Sequence, residues 1–200
     1  MKKKELEIML QKIASPAKTK ANLEQYITPA SIASDILWKA YYKGDVAGKF
    51  VIDLGCGTGI FSIGAALLNA KKVIGIDIDK NLIRIAEKEA EKFDAKIEFF
   101  SMDIENFYEK GDVVIMNPPF GAQYTNRKAD KKFLIKAMDI ANTIYSIHLK
   151  NSIPFIKKFI KLPWNFYVLE EYRFPIKATM PFHKKEVEYY EVVAINVRKE

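Results

Sequence analysis

Two short runs of residues carry types and spacing that can do chemistry. The first is Asp53-Leu-Gly-Cys-Gly-Thr-Gly59, which follows an apolar run and opens a helical one. Gly55, Gly57 and Gly59 let main chain approach a ligand closely. A dinucleotide loop needs Gly-x-Gly-x-x-Gly so that pyrophosphate can rest on the helix N-terminus, and here the third glycine arrives one residue early. Asp53, ahead of the first glycine, would repel pyrophosphate but can hold a cationic amino-acid group, directly or through water. That donor set favours S-adenosylmethionine over NAD. Asp77, 22 positions after Gly55, can accept both hydroxyls of a ribose. Asp103 can accept from an adenine amino group, with Ile104 in apolar contact beside it.

The second run is Asn117-Pro-Pro-Phe120, at the end of the apolar segment Asp112 to Met116. An exocyclic amine on a base is conjugated and weakly nucleophilic. It needs acceptors that orient its two hydrogens and turn the nitrogen lone pair toward a methyl group. The Asn117 side-chain oxygen and the Pro118 carbonyl suit that task, Pro118 and Pro119 stiffen the loop, and Phe120 offers a face for a flipped base. No strong base or metal is called for. Cys56 reads as a small packing residue of the glycine loop rather than a nucleophile, and His148 as a buried strand histidine.

The elements that must position these runs follow from periodicity. Leu6, Met9, Leu10 and Ile13 predict an amphipathic helix over residues 2 to 14. After an irregular link, Thr28 as N-cap and Pro29 at the first helical position open a second helix to about Tyr42. Apolar runs at Phe50–Leu54, Val73–Ile78, Lys96–Phe100, Asp112–Met116 and Ile144–Leu149 read as strands. They alternate with helices at Ile60–Asn69, Asp79–Lys92 and Asp130–Ala141. A lysine-rich helix near Ser152–Lys161 precedes two longer stretches, Asn165–Phe174 and Val187–Val197, expected to pair antiparallel. The whole predicts an α/β fold with a doubly wound, mainly parallel sheet, whose ligand lies beyond the strands' carboxyl ends.

Composition narrows the class further. The chain has 200 residues, 49% hydrophobic and 28% charged, which suits one globular domain: a helical extension over 1–44 and a core over 45–200. Its apolar runs break well before the roughly 18 residues a membrane span needs, and the N-terminus places Glu5 and Glu7 where a signal peptide would be apolar. A cytoplasmic, membrane-free protein is the expectation. One cysteine and two histidines leave little for a metal site, so any metal would arrive with a partner. Between Gly121 and Lys161, nine basic residues face two acidic ones, which equals the chain's whole formal excess of +7. A basic surface of that kind attracts a polyanion.

The glycine loop together with Asn117-Pro-Pro-Phe120 resembles the Rossmann-like, class I amino-methyltransferases that modify adenine, guanine or glutamine amines. Leu23-Glu-Gln-Tyr-Ile-Thr-Pro29, Tyr145-Ser-Ile-His148 and Phe182-His-Lys-Lys185 make the chain similar to methyltransferase-like protein five and its archaeal relatives over nearly its full length. The resemblance implies N6-methylation of adenosine in small-subunit ribosomal RNA on a seven-strand sheet. It implies that Gln25, Tyr26 and Thr28 close over the cofactor, with Gly55, Thr58, Ile60, Asp77, Asp103 and Ile104 lining its site. Asn117 to Phe120 would hold the adenine. Phe182, His183, Lys184 and Lys185 would reach toward RNA, with Arg127 and Lys128 in the basic segment. A small zinc-binding activator subunit, known in eukaryotic members, would dock on the apolar edge strand Lys96–Phe100. Methylation of guanine or a protein glutamine, and a non-catalytic RNA-binding scaffold, are the competing readings.

Overall fold

The computed structural model describes residues 1–16, 26–120, 129–177 and 187–200. Helices α1 (Lys3–Leu10) and α2 (Ala30–Tyr42) precede β1 (Phe50–Leu54), α3 (Ile60–Leu67), β2 (Lys72–Asp77), α4 (Lys80–Lys92) and β3 (Glu98–Ser101). Then come β4 (Val113–Met116), α5 (Ala129–Ile140), β5 (Thr143–Leu149), α6 (Ile153–Phe159), β6 (Trp164–Lys177) and β7 (Val187–Lys199). The seven strands lie in the order β3-β2-β1-β4-β5-β7-β6. The first five are parallel, while β7 runs antiparallel to β5 and to β6. This is the doubly wound sheet expected from the sequence, with strand ends shifted by up to three residues.

The central strands are apolar on both faces because helices cover both. Val51, Val113, Ile115, Tyr145 and Ile147 point to one side, where Leu6, Leu10, Ile36 and Leu37 of the first two helices are buried. Ile52, Leu54, Val114 and Ile144 point to the other, against Leu134 and Ile140 of α5 and Ile156 of α6. The N-terminal helices are therefore part of the core rather than an appendage. Gly64 of α3 permits that closeness, since a Cβ there would collide with the Leu37 side chain.

Polar anchors set the orientation of this layer. Asp35 of α2 accepts from Lys3, from Lys39 Nζ at 2.5 Å and from Tyr172 OH at 2.6 Å. Burial alone would raise its pKa, but these hydrogen bonds hold the carboxyl down at about 2. Asp45, just past α2, accepts from Tyr145 OH at 2.6 Å and from Arg198. Thus α2 is tied to α1 and β6, and its following turn to β5 and β7.

One local reading changes. Pro29, not Thr28, is the N-cap of α2, and no side chain caps that helix. The Thr28 hydroxyl is engaged elsewhere.

Candidate active site

The strand order reverses between β1 and β4, and the chain leaves their carboxyl ends toward opposite faces, opening a crevice. The loop after β1 forms its floor. Gly55, Gly57 and Gly59 all adopt positive φ, at 71°, 55° and 84°. The loop is held by main-chain N–H groups of Gly55 and Cys56 donating to the Ile76 carbonyl at 2.8 and 2.9 Å. Asp77 braces it from β2: Oδ2 accepts from Gly57 N–H at 2.9 Å, and Oδ1 from Asp79 N–H at 2.8 Å. Burial, followed by the neighbouring Asp79 charge, pushes the Asp77 carboxyl upward despite these bonds. Asp79 caps α4 by accepting from Asn81 N–H, as the sequence suggested.

Above the loop lies a cavity of about 440 Å³. Eleven residues selected from the sequence share its wall: Tyr26, Thr28, Gly55, Gly57, Thr58, Ile60, Asp77, Asp103, Ile104, Asn117 and Pro119. Four others stand behind it. Gly59 is the N-cap of α3, Pro118 is buried, and Phe120 is 9% exposed. Asp53 is 1% exposed, is not part of the cavity wall and turns toward α3. Its Oδ2 accepts from Ser62 N–H at 2.9 Å and Ser62 Oγ at 2.6 Å, while Oδ1 is buried without a partner. Burial drives its pKa up to about 7 against the pull of the Ser62 hydrogen bonds. Asp53 therefore staples β1 to α3 beneath the glycine loop. Gln25, Arg127, Lys128, Phe182, His183, Lys184 and Lys185 lie outside the described residues.

Periodicity did not single out the rest of the wall. Phe133 of α5 packs over the loop so closely that a Cβ on Gly55 would lie 3.1 Å from its ring. Lys132 of α5 bridges Asp103 at 3.1 Å and Glu105 at 3.0 Å, so Asp103 already has a cationic partner. Asp103 also accepts from Glu105 N–H at 3.0 Å; that bond and then Lys132 hold its carboxyl low against burial. Ile78, Leu82 and Met102 complete an apolar shelf. The Cys56 thiol, raised well above its ordinary value by burial, is no nucleophile. His148 is buried, with Ser146 Oγ 2.8 Å from Nε2, and burial pushes it down to about 3.

At the end of β4, the Asn117 side chain donates through Nδ2 to Thr28 Oγ1 at 3.0 Å. Its Oδ1 is buried and has no hydrogen-bond partner among the described residues. Phe120 is not an open platform as the sequence suggested. Tyr26 stacks on it with centroids 5.7 Å apart at 25°, and Phe174 meets it edge-on at 5.6 Å. A base reaching Phe120 must lie against the Tyr26 ring or displace it.

The donor set fits S-adenosylmethionine. Asp77 spends part of its acceptor capacity on the Gly57, Ile78 and Asp79 N–H groups and lines the cavity with what remains for a ribose hydroxyl. The apolar shelf suits an adenine, and the cavity volume falls within the usual range for a cofactor site. Among the described residues no group of three or more His, Cys, Asp or Glu could hold a metal, and no helix is long and apolar enough to cross a membrane.

A mainly parallel seven-strand sheet with its last strand reversed, a glycine loop at the switch point and acidic strand ends define a class I, Rossmann-like methyltransferase. The model of the ribosomal protein L11 methyltransferase family matches residues 36–118, the half that carries the loop. An uncharacterized protein of Methanocaldococcus jannaschii is 39% identical over 100% of this chain and 95% of its own length. The rRNA N(6)-adenosine-methyltransferase METTL5 of Danio rerio is 37% identical over 93% of each chain. The crystal structure of a Pyrococcus horikoshii protein, provisionally assigned as an RNA methyltransferase, superposes with a TM-score of 0.89 at 39% identity, covering 98% of this chain and 96% of that one. The chain belongs to the METTL5 family of methyltransferases.

Proposed function

We infer that this protein methylates the N6 amine of an adenosine in small-subunit ribosomal RNA. The observation that carries this reading is the Asn117 carboxamide, on a residue that lines the cavity: its Nδ2 is held by Thr28, and its buried Oδ1 has no partner among the described residues. Such an oxygen accepts one hydrogen of an incoming amine, and the Pro118 carbonyl the other. When bound, S-adenosylmethionine supplies a methyl group on a positively charged sulfur. Asp77 would hold its ribose, and Asp103 with Ile104 its adenine. Asp103 does so as a carboxylate already oriented by Lys132 and the Glu105 N–H. Acceleration comes from positioning, because the side chains at the amine are acceptors and no strong base is needed.

RNA is the substrate class that the family relationship supports. Exposed lysines 157, 158 and 161 on and beside α6 supply part of the basic surface. The activator subunit implied by the resemblance would add a strand to β3, which is a sheet edge. That edge is less apolar than the sequence suggested: Glu98 and Ser101 are exposed, while Phe99 and Phe100 are half-buried against the sheet. Main-chain groups would therefore supply most of the docking.

The test is transfer of labelled methyl from S-adenosylmethionine to unmodified small-subunit rRNA, with nucleoside analysis and Asn117→Ala as control. N6-methyladenosine that disappears in the variant is the expected result. Label in another nucleoside or in protein, or a fully active variant, would overturn the assignment.

A further inference from the structure

We propose that Thr28 is a positioning residue for the methyl-transfer step: its hydroxyl anchors the Asn117 carboxamide by accepting from Nδ2, which leaves Oδ1 to meet the target amine. The inference rests on the reading of Asn117 given above and assigns Thr28 a task beyond lining the cofactor site.

Three observations carry it. Thr28 Oγ1 accepts from Asn117 Nδ2 at 3.0 Å across 89 residues of chain. Thr28 is 6% exposed, so water does not readily substitute for it. Its hydroxyl is also free of the task that a threonine before a helix usually performs, since α2 has no side-chain cap. The residue lies two positions before α2, next to its N-cap Pro29, whose carbonyl accepts from Ile32 and Ala33 N–H groups at 3.0 and 2.9 Å. Ile32, Ala33, Ile36 and Leu37 of that helix are all buried, so the segment carrying the hydroxyl is joined directly to a packed element.

The carboxamide has a donor end and an acceptor end, and rotation by half a turn exchanges them. An amine that must give up hydrogens cannot use the donor end. A hydroxyl can face either end, so Thr28 anchors the carboxamide rather than choosing between its ends; in the orientation seen here the anchored end is Nδ2, and Oδ1 is left for the substrate. Without the hydroxyl neither end is held from this side, and the carboxamide spends part of its time in arrangements that turn NH2 to the incoming amine.

Valine matches the shape of threonine and removes the hydroxyl. Full-length Thr28→Val and Thr28→Ser are compared with wild type by single-turnover methyl transfer to rRNA, binding of S-adenosylmethionine and thermal unfolding. Thr28→Val should lose about 10- to 100-fold in the methyl-transfer rate. Cofactor Kd should stay within about threefold, and Thr28→Ser should recover most of the rate. A wild-type rate in Thr28→Val, a serine variant as slow as the valine one, or a rate loss wholly accounted for by weaker cofactor binding would each overturn the proposal. If Thr28→Val does not fold, a slow, folded Thr28→Ser overturns it and a fast one supports it. Absence of N6-methyladenosine from the wild type would instead defeat the parent reading, so the two failures are distinguishable.

Discussion

Replacing Asp53 with asparagine isolates the least comfortable group in the fold. The carboxyl sits 1% exposed beneath the glycine loop, with Oδ1 lacking any partner, and burial lifts its pKa from 3.8 to about 7. In the unfolded chain it titrates near 4, so between about pH 4 and 7 the folded protein holds a proton that the unfolded one has released. Stability contributed by this site is therefore fully present below about pH 4, falls as pH rises toward 7 and levels off above. Across those roughly three pH units, at about 1.4 kcal/mol each, the folded state loses on the order of 4 kcal/mol. Asparagine keeps an oxygen for the Ser62 donors and carries no charge at any pH. Its amide NH2 takes the unpartnered place, a constant cost of about 1–3 kcal/mol.

The difference in unfolding free energy between wild type and Asp53→Asn, from denaturant titrations at half-unit steps from pH 4.5 to 8, should move toward the variant by about 3–4 kcal/mol. In melting temperature that is roughly 6–16 °C at this chain length. The difference cancels the titrating groups that do not feel Asp53; Asp77 and Cys56, which do, remain in it. Curves that stay parallel within about 1 kcal/mol across the range would refute the reasoning, because Asp53 would then ionise near its ordinary value.

Gly55→Ala places a Cβ 3.1 Å from the Phe133 ring at a φ of +71°, so S-adenosylmethionine binding measured by calorimetry should weaken at least about tenfold. Unchanged affinity would show that Phe133 yields. Tyr145→Phe removes the hydroxyl that donates to Asp45 at 2.6 Å, at a residue that does not line the cavity. It should cost about 1–3 kcal/mol in denaturant unfolding and leave methyl transfer per folded molecule unchanged, and a stability equal to wild type would count against the bond.

The loop, the acidic strand ends and Asn117 were legible because each belongs to a local pattern: glycines between a strand and a helix, a carboxylate closing an apolar run. What escaped was everything set by contacts distant in sequence. Thr28 looked like a cap because threonine before Pro29 is an ordinary helix start, and only the fold shows its hydroxyl meeting Asn117. Asp53 looked like a ligand because a strand carries no sign of which way its last carboxylate turns; Ser62, one helical turn into α3, takes it. Phe133 was hidden inside an apolar helical face, where one ring over the loop reads the same as another in the core. The basic segment was overcounted as free surface. Lys132 pairs with Asp103 and Glu105, Lys150 pairs with Glu171, and Lys136 donates to the Glu105 and Phe107 carbonyls.

These escaped contacts also locate what separates this chain from methyltransferases that share its cofactor half. The protein-methyltransferase model matches residues 36–118, which span the loop, Asp77, Asp103 and the first two residues of Asn117-Pro-Pro-Phe120. That stretch can hold a cofactor and start an amine site but cannot finish one. The acceptor wall is finished by Thr28 on the Asn117 amide, by Tyr26 on the face of Phe120, and by Phe174 of β6 on its edge. All three come from outside the matched stretch: two from the approach to α2, one from the antiparallel pair at the far side of the sheet. On the proposed reading, substitutions where the approach to α2 and β6 meet the end of β4 should slow methyl transfer before they weaken what is bound in the cofactor cavity, and a loss confined to cofactor affinity would count against it.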